Sequence, residues 1–300
     1  MSFLNEPERI VGELEIPHHL PGYAWDLLPR RSKPLDMYRS HFWHADFQDE
    51  YRSPAAAIYT SLGCPFACHF CMINNLNRHT NDPNWSAADS AKIRYFPVRQ
   101  TIQELEKLYR MGVRTIRISD EMFLLNKNHY VPLLEKIREL WGDELRLWAY
   151  ARVDTVKSQY LQLFREAGVR WLALGIETAS QTIRREVSKG SYQDVDVRRV
   201  VKEIQDNGIN VIANYIFGLP DDDLVSMHET LNLSIELNTE YWNAYPVMAL
   251  PGSPLYHTAK ERGWPLPDSF EGYSLHSYEC LPLPTKHLLA KEVLSFRDRA

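Results

Sequence analysis

Two periods of hydrophobic and polar residues alternate along this 300-residue chain. Short apolar and β-branched runs read as strands: AAAIYTS (55–61), VRTIRIS (113–119), ELRLWAY (144–150), VRWLALGIE (169–177), NVIANYIFG (210–218) and YWNAYPVMA (241–249). Between them lie segments with apolar residues at helical spacing. These are VRQTIQELEKLYRMG (98–112), NHYVPLLEKIRELWG (128–142), TVKSQYLQLFREAG (155–168), DVDVRRVVKEIQDNG (194–208) and DLVSMHETLNLSIEL (223–237). Gly112 and Gly168 close two of the helices. Strand and helix alternate through short connections, a pattern that predicts a parallel sheet with crossover helices. Six strands are too few for a closed eight-fold barrel and enough for an open one. The catalytic end of such a fold lies at the C-terminal ends of its strands.

Outside this repeat the pattern fades. Residues 1–55 carry prolines and aromatics with little periodicity and read as an irregular N-terminal arm; 56–262 is the barrel core, and 263–300 a C-terminal helical extension. The chain is 44% hydrophobic and 24% charged, with a net charge of −5, an ordinary soluble balance that does not suit a general nucleic-acid binder. No apolar run is long enough to span a bilayer, so no membrane association is expected. The polar, acidic N-terminus is neither a signal nor a transit peptide, and the sparing use of cysteine fits a reducing cytoplasm.

The candidate chemistry sits in TSLGCPFACHFCMINN, directly after the first strand. Cys64, Cys68 and Cys71 have CxxxCxxC spacing in a loop that also holds Gly63, Pro65 and Asn74. Thiolate is the standard ligand of cluster iron. Three thiolates on a four-iron cluster would leave one iron open to an exchangeable ligand, which points to chemistry. Structural zinc would want a fourth ligand nearby, yet Cys280 is distant in sequence and His69 is wedged between two of the cysteines. A disulfide framework does not suit a chain of this size, and three unliganded core cysteines would leave the spacing unexplained.

With Phe70 just before the last cysteine, the motif resembles the signature of radical S-adenosylmethionine (SAM) enzymes. That resemblance covers about 56–262 and implies a partial (βα)6 barrel, an α/β fold, with a [4Fe-4S] cluster on the three cysteines and SAM at the same rim. It carries further residues over by position. Asp120 and Glu121, after the second strand, would accept from the SAM ammonium; SDEMF stands there in place of the usual glycine–glycine–glutamate, and a helix cap is the plain alternative. Arg152 would clamp a carboxylate of SAM or substrate, or else pair with Asp154 or Glu177. Glu177 matches the ribose-contacting position. NYIFGLPDDD resembles the stretch supporting adenine, through Ile216 and the turn at Gly218. Lys189-Gly190 and ALPGSPLY also fit the family pattern.

GYAWDLLP and the tail from GWPLPDSFEGYS onward resemble segments flanking the barrel in the cobalamin-binding subgroup. Only about fifty residues precede the first strand and no DxHxxG occurs, so cobalamin is expected only with a partner domain or a separate cobalamin-binding chain. The reading is therefore an enzyme that cleaves SAM reductively and abstracts hydrogen from a small-molecule substrate, ending in methylation, rearrangement or oxidation. No acid–base residue is assigned, and the electron would come from a reductant such as flavodoxin or ferredoxin. The alternatives are a non-catalytic iron–sulfur carrier or scaffold with a degenerate SAM site, and a transfer-RNA-modifying relative.

Overall fold

The computed structural model describes residues 22–76, 91–187 and 195–300. Residues 22–54 form three 3-10 turns, Trp25–Leu27, Trp43–Ala45 and Asp49–Tyr51. There follow β1 (Ala55–Ile58), β2 (Ser61–Gly63), α1 (Ile73–Leu76), β3 (Ile93–Tyr95), α2 (Val98–Arg110), β4 (Thr115–Ile118), α3 (Lys127–Trp141), β5 (Arg146–Arg152), α4 (Leu161–Glu166) and β6 (Val169–Glu177). The chain continues through α5 (Gln181–Val187), α6 (Val197–Asp206), β7 (Asn210–Phe217), α7 (Leu224–Leu237), β8 (Tyr241–Pro246), α8 (Pro254–Glu261) and α9 (Ala290–Arg299).

Six strands make one parallel sheet in the order β1-β4-β5-β6-β7-β8, as the alternation predicts. Its convex face is apolar. Ile116, Leu147, Leu172, Leu174 and Val211 pack there against the inward stripes of the helices. In α6 that stripe is Val197, Val200, Val201 and Ile204, the i, i+3, i+4, i+7 spacing of one helix face, and the Asp196 side chain caps the helix by accepting from Arg199 N–H. On the concave face the same strands carry alternate residues, and the register stacks them in layers. Ala57, Arg117, Trp148 and Trp171 form the lowest, Tyr150, Ala173, Ile212 and Tyr241 the next, and Arg152, Gly175, Asn214 and Asn243 the third. Trp43 of the arm plugs the base, with its ring centroid 4.9 Å from Trp148 and 4.8 Å from Trp171.

Two elements differ from the sequence expectation. AAAIYTS is not one strand: the chain leaves the sheet at Tyr59–Thr60, and Ser61–Gly63 pairs antiparallel with Ile93–Tyr95 in a separate ribbon. The cysteine loop therefore follows β2, between the two strands of this ribbon, and not β1 itself. The helix expected over 155–168 shortens to α4, preceded by 3-10 turns at Val153–Thr155 and Ser158–Tyr160, because the polar stretch Lys157–Gln159 offers no apolar stripe to hold a full helix. At the other end α9 packs Val293 and Phe296 against Phe217 of β7 and Met227 of α7. No helix of the described residues is long and apolar enough to cross a membrane.

Gly168, at the α4–β6 turn, has φ +85°, and a Cβ there would collide with the Leu145 carbonyl oxygen. Both problems lie in backbone that has nowhere to move. Gly168→Ala is expected to lower stability by about 1–3 kcal/mol, read from the midpoint of urea unfolding.

Candidate active site

The cysteine loop lies across the C-terminal ends of the strands because its backbone is tied there. Asp120, just after β4, is fully buried; its Oδ1 accepts from Thr60 N–H (2.6 Å) and its Oδ2 from the hydroxyls of Thr60 and Ser61 (2.6 Å each). Those bonds turn the chain out of the sheet into β2. Gly63, at φ +89°, then delivers Cys64. Further along, His69 N–H donates to Val187 O at the end of α5 (2.8 Å), and Leu255 N–H of α8 donates to His69 O (3.0 Å). Cys71 N–H closes a turn on Cys68 O (3.1 Å), and the Asn74 amide donates to Phe66 O (2.7 Å).

The loop brings the three thiols into one electrostatic neighbourhood with Glu121, Arg152 and Glu177. Burial pushes Cys64 up to about 11, and the nearby Cys71 and Glu121 add to that. Cys68 is pushed up to about 12 by burial, then by Cys71 and Glu177, with Arg152 opposing. Cys71 is raised by burial and by the same two glutamates. Among the described residues no three His, Cys, Asp or Glu side chains converge closely enough to hold a metal ion as they stand. The donor chemistry nonetheless fits a cationic iron cluster. Each thiol is held protonated by burial and by the negative charges of its neighbours, the penalty that coordination to positive iron removes.

Of the other expected residues, the structure gathers some and diverts others. Glu121 stands in this neighbourhood, and its Oε2 is buried without a hydrogen-bond partner, an acceptor suited to a buried ammonium. Asp120 is diverted: its carboxylate is consumed in holding Thr60 and Ser61, although the sequence reading had it facing SAM. Arg152 makes the bidentate pair with Asp154 left open by the sequence, at 2.9 and 2.7 Å, and its guanidinium lies 3.9 Å over the Phe66 ring. Glu177 ends β6 at φ +66°, where the register with β7 shifts, so its carboxylate swings back over Gly175. A Cβ on Gly175 would sit 2.6 Å from Glu177 Oε1, so any larger residue there would push the carboxylate aside. Burial pushes Glu177 up to about 7, against the opposing pull of Arg152 and Arg184.

Ile216 and Phe70 pack on one apolar cluster with Leu219, Val247 and Leu255. Gly218 serves the turn itself. Its φ is +83°, a Cβ would collide with Val293, and its N–H donates to Asp222 Oδ2 at 3.1 Å, which also accepts from Leu219 N–H at 2.9 Å. Lys189-Gly190 lies outside the described residues. Sequence reasoning missed Arg184, Phe66 and the polar interior of the third layer. There Asn214 Oδ1 accepts from the Asn243 amide (3.0 Å) and from Tyr245 hydroxyl (3.4 Å). The period-two alternation of NVIANYIF and YWNAYP carried that last signal.

Comparisons with known proteins bear on the family and the fold. The family model described as Radical SAM superfamily matches residues 58–234. An uncharacterized methyltransferase of Pyrococcus horikoshii is 28% identical over 260 residues, 85% of this chain and 49% of that protein. The hopanoid C-2 methylase of Rhodopseudomonas palustris is 28% identical over 214 residues, 69% of this chain and 38% of that protein. The chain thus spans half or less of the length of these relatives. Among solved structures, the radical S-adenosylmethionine methyltransferase from Kitasatospora setae, with cobalamin and a [4Fe-4S] cluster bound, superposes with a TM-score of 0.59 at 20% identity, over 69% of this chain and 39% of that one. A cobalamin-dependent S-adenosylmethionine radical enzyme with aqua-cobalamin and S-adenosylmethionine bound gives 0.52 at 17%, over 70% and 36%. At these identities the two structures speak to the fold.

The raised Glu177 has a consequence for the protein without added cluster or SAM. A carboxyl whose folded value lies above its unfolded one favours folding most when protonated, so its contribution falls as pH rises from about 4.5 through about 7. Glu177→Gln is therefore expected to gain stability relative to the parent between pH 5 and pH 8, by about 1–3 kcal/mol. Parallel urea titrations at the two pH values check it; a constant difference would show that the carboxyl is not desolvated.

Proposed function

Because this chain belongs to the radical SAM superfamily, whose members use a [4Fe-4S] cluster and SAM, we propose that its rim is a SAM-cleaving centre acting on a small molecule held in the barrel. One observation carries the assignment to particular residues: three thiols share a neighbourhood with Glu121, Arg152 and Glu177 at the C-terminal ends of six parallel strands. Cys64, Cys68 and Cys71 would hold three irons of the cluster and leave the fourth open. Bound together there, cluster and SAM would supply reductive one-electron cleavage of SAM and, through it, hydrogen abstraction from the substrate.

The protein's own part is binding, orientation and exclusion of water. Glu121 Oε2 would accept from the SAM ammonium. Arg152, kept in place by Asp154 and Phe66, would face the SAM carboxylate. Glu177 would accept from the ribose hydroxyls, aimed by the Gly175 recess. Ile216 and Phe70 would supply the apolar wall for adenine. Asp120 and Gly218 act through the backbone, by setting the loop and the turn.

Methyl transfer is the reaction class we favour, since the two relatives described above are a methyltransferase and a methylase. Residues 22–54 form only 3-10 turns, so any cobalamin would be carried by a domain or chain outside the described residues. We place the enzyme in the reducing cytoplasm, with a flavodoxin- or ferredoxin-type reductant. Residues 56–262 would act as the barrel, framed by the arm and the C-terminal extension.

Anaerobic reconstitution is expected to load about four iron and four sulfide per chain. Alanine at Cys64, Cys68 or Cys71 should abolish the cluster absorbance, and Cys280→Ala should leave it intact. Dithionite and SAM should then yield 5′-deoxyadenosine and methionine; a loaded cluster without SAM cleavage would instead indicate an electron carrier. Glu177→Ala is expected to weaken SAM binding about tenfold with iron content unchanged.

A further inference from the structure

The base of the sheet holds a cavity away from the cysteine rim. It has a volume of about 370 Å³ and lies where the arm covers the edge strand β1. Trp25, Tyr38, Ser40, His44, Arg117 and Trp148 account for its character. Arg39 and Arg117 are among its lining residues, and no Asp or Glu is. Arg39 is already paired with Asp49 at 2.7 Å. Arg117 has no carboxylate partner among the described residues. Its contacts are the Tyr150 hydroxyl, which accepts from Nη2, and the faces of Trp148 and Tyr150, with its guanidinium carbon 4.6 and 5.1 Å from the ring centroids.

The polar groups around it are incompletely paired as well. Arg117 Nε is buried without an acceptor. The hydroxyl of Ser40, a residue that lines the same cavity, is also buried without a partner. His44 supplies no counter-charge and no second cation. Burial holds its value down to about 3, so the ring is neutral, and its Nε2 lies 3.1 Å from Arg146 O, which makes it the donor there. A half-buried guanidinium that meets only aromatic rings and one phenolic hydroxyl is costly to keep unless something anionic joins it. The guanidinium fork matches a planar carboxylate, and the neighbouring rings match a flat apolar body.

We propose that this basal cavity binds a small carboxylate-bearing ligand with a planar apolar body, anchored by Arg117 and seated against Trp148. The site goes beyond the SAM-cleaving reading. It lies two layers below Arg152 in the register of β5, on the order of 13 Å along the strand from residue 148 to residue 152. Its occupancy does not depend on the cluster.

The test uses the whole chain and 2-naphthoate as the probe, with 2-naphthamide and 2-naphthyl phosphate as comparisons, followed by titration calorimetry. One molecule of 2-naphthoate should bind per chain, and the neutral amide should bind about tenfold more weakly or worse. Arg117→Gln should lose about tenfold in affinity for the acid and nothing for the amide. Arg117→Lys, which keeps the charge, should recover part of the loss and serves if the glutamine variant fails to fold. Saturating SAM should leave naphthoate affinity unchanged. Equal binding of acid and amide, unchanged affinity in Arg117→Gln, or competition by SAM would each overturn the proposal. A preference for naphthyl phosphate over naphthoate would overturn the carboxylate assignment. A chain that binds naphthoate yet cleaves no SAM would leave this site standing and remove the rim reading alone.

Discussion

Everything at the rim depends on one buried carboxylate. Asp120 accepts three hydrogen bonds from Thr60 and Ser61, and so fixes where the chain departs from the sheet after β1. Burial alone would favour its protonated form, while the donated bonds favour the charged one. His129, at 3.1 Å from the Thr60 hydroxyl, extends the network into α3. Break that anchor and the exit of the chain into β2, and with it the approach to Cys64, loses its tie to the sheet. The residue that sets the site in place need not touch anything that binds there.

The two faces of the sheet divide the remaining work. On the convex side, close-packed aliphatic residues from strands and helices supply the stability, and a polar group there would be penalised. The concave side is stepped instead. Tryptophans close the base, a tyrosine layer follows, amides and Arg152 come above, and acidic and thiol groups reach the rim. Polarity rises toward the end where the chemistry is expected, and each step follows from the strand period of two.

That period explains what could be read from the sequence and what could not. The six sheet strands were legible because VRWLALGIE or NVIANYIFG leaves little choice of secondary structure. The cysteine spacing was legible because it is local. Asp120 was misdirected because a carboxylate just past a strand can turn inward or outward, and only the arrival of Thr60, sixty residues earlier in the chain, decides which. The break at Tyr59–Thr60 was hidden for the same reason, since AAAIYTS has uniform strand propensity and the partner Ile93–Tyr95 lies beyond the loop. For Arg152 the sequence leaves a carboxylate clamp and a pairing with Asp154 or Glu177 open, and the pair with neighbouring Asp154 is formed.

The tie from His69 to both Val187 and Leu255 gives the loop a mechanical character. One residue between two cysteines is stitched, through its own N–H and C=O, to the end of α5 on one side and to the start of α8 on the other. The loop is thus a strap anchored at both shoulders of the barrel's far half. The position of the cysteine loop is thus shared with two helices that offer it no ligand of their own, each held to it by one backbone hydrogen bond.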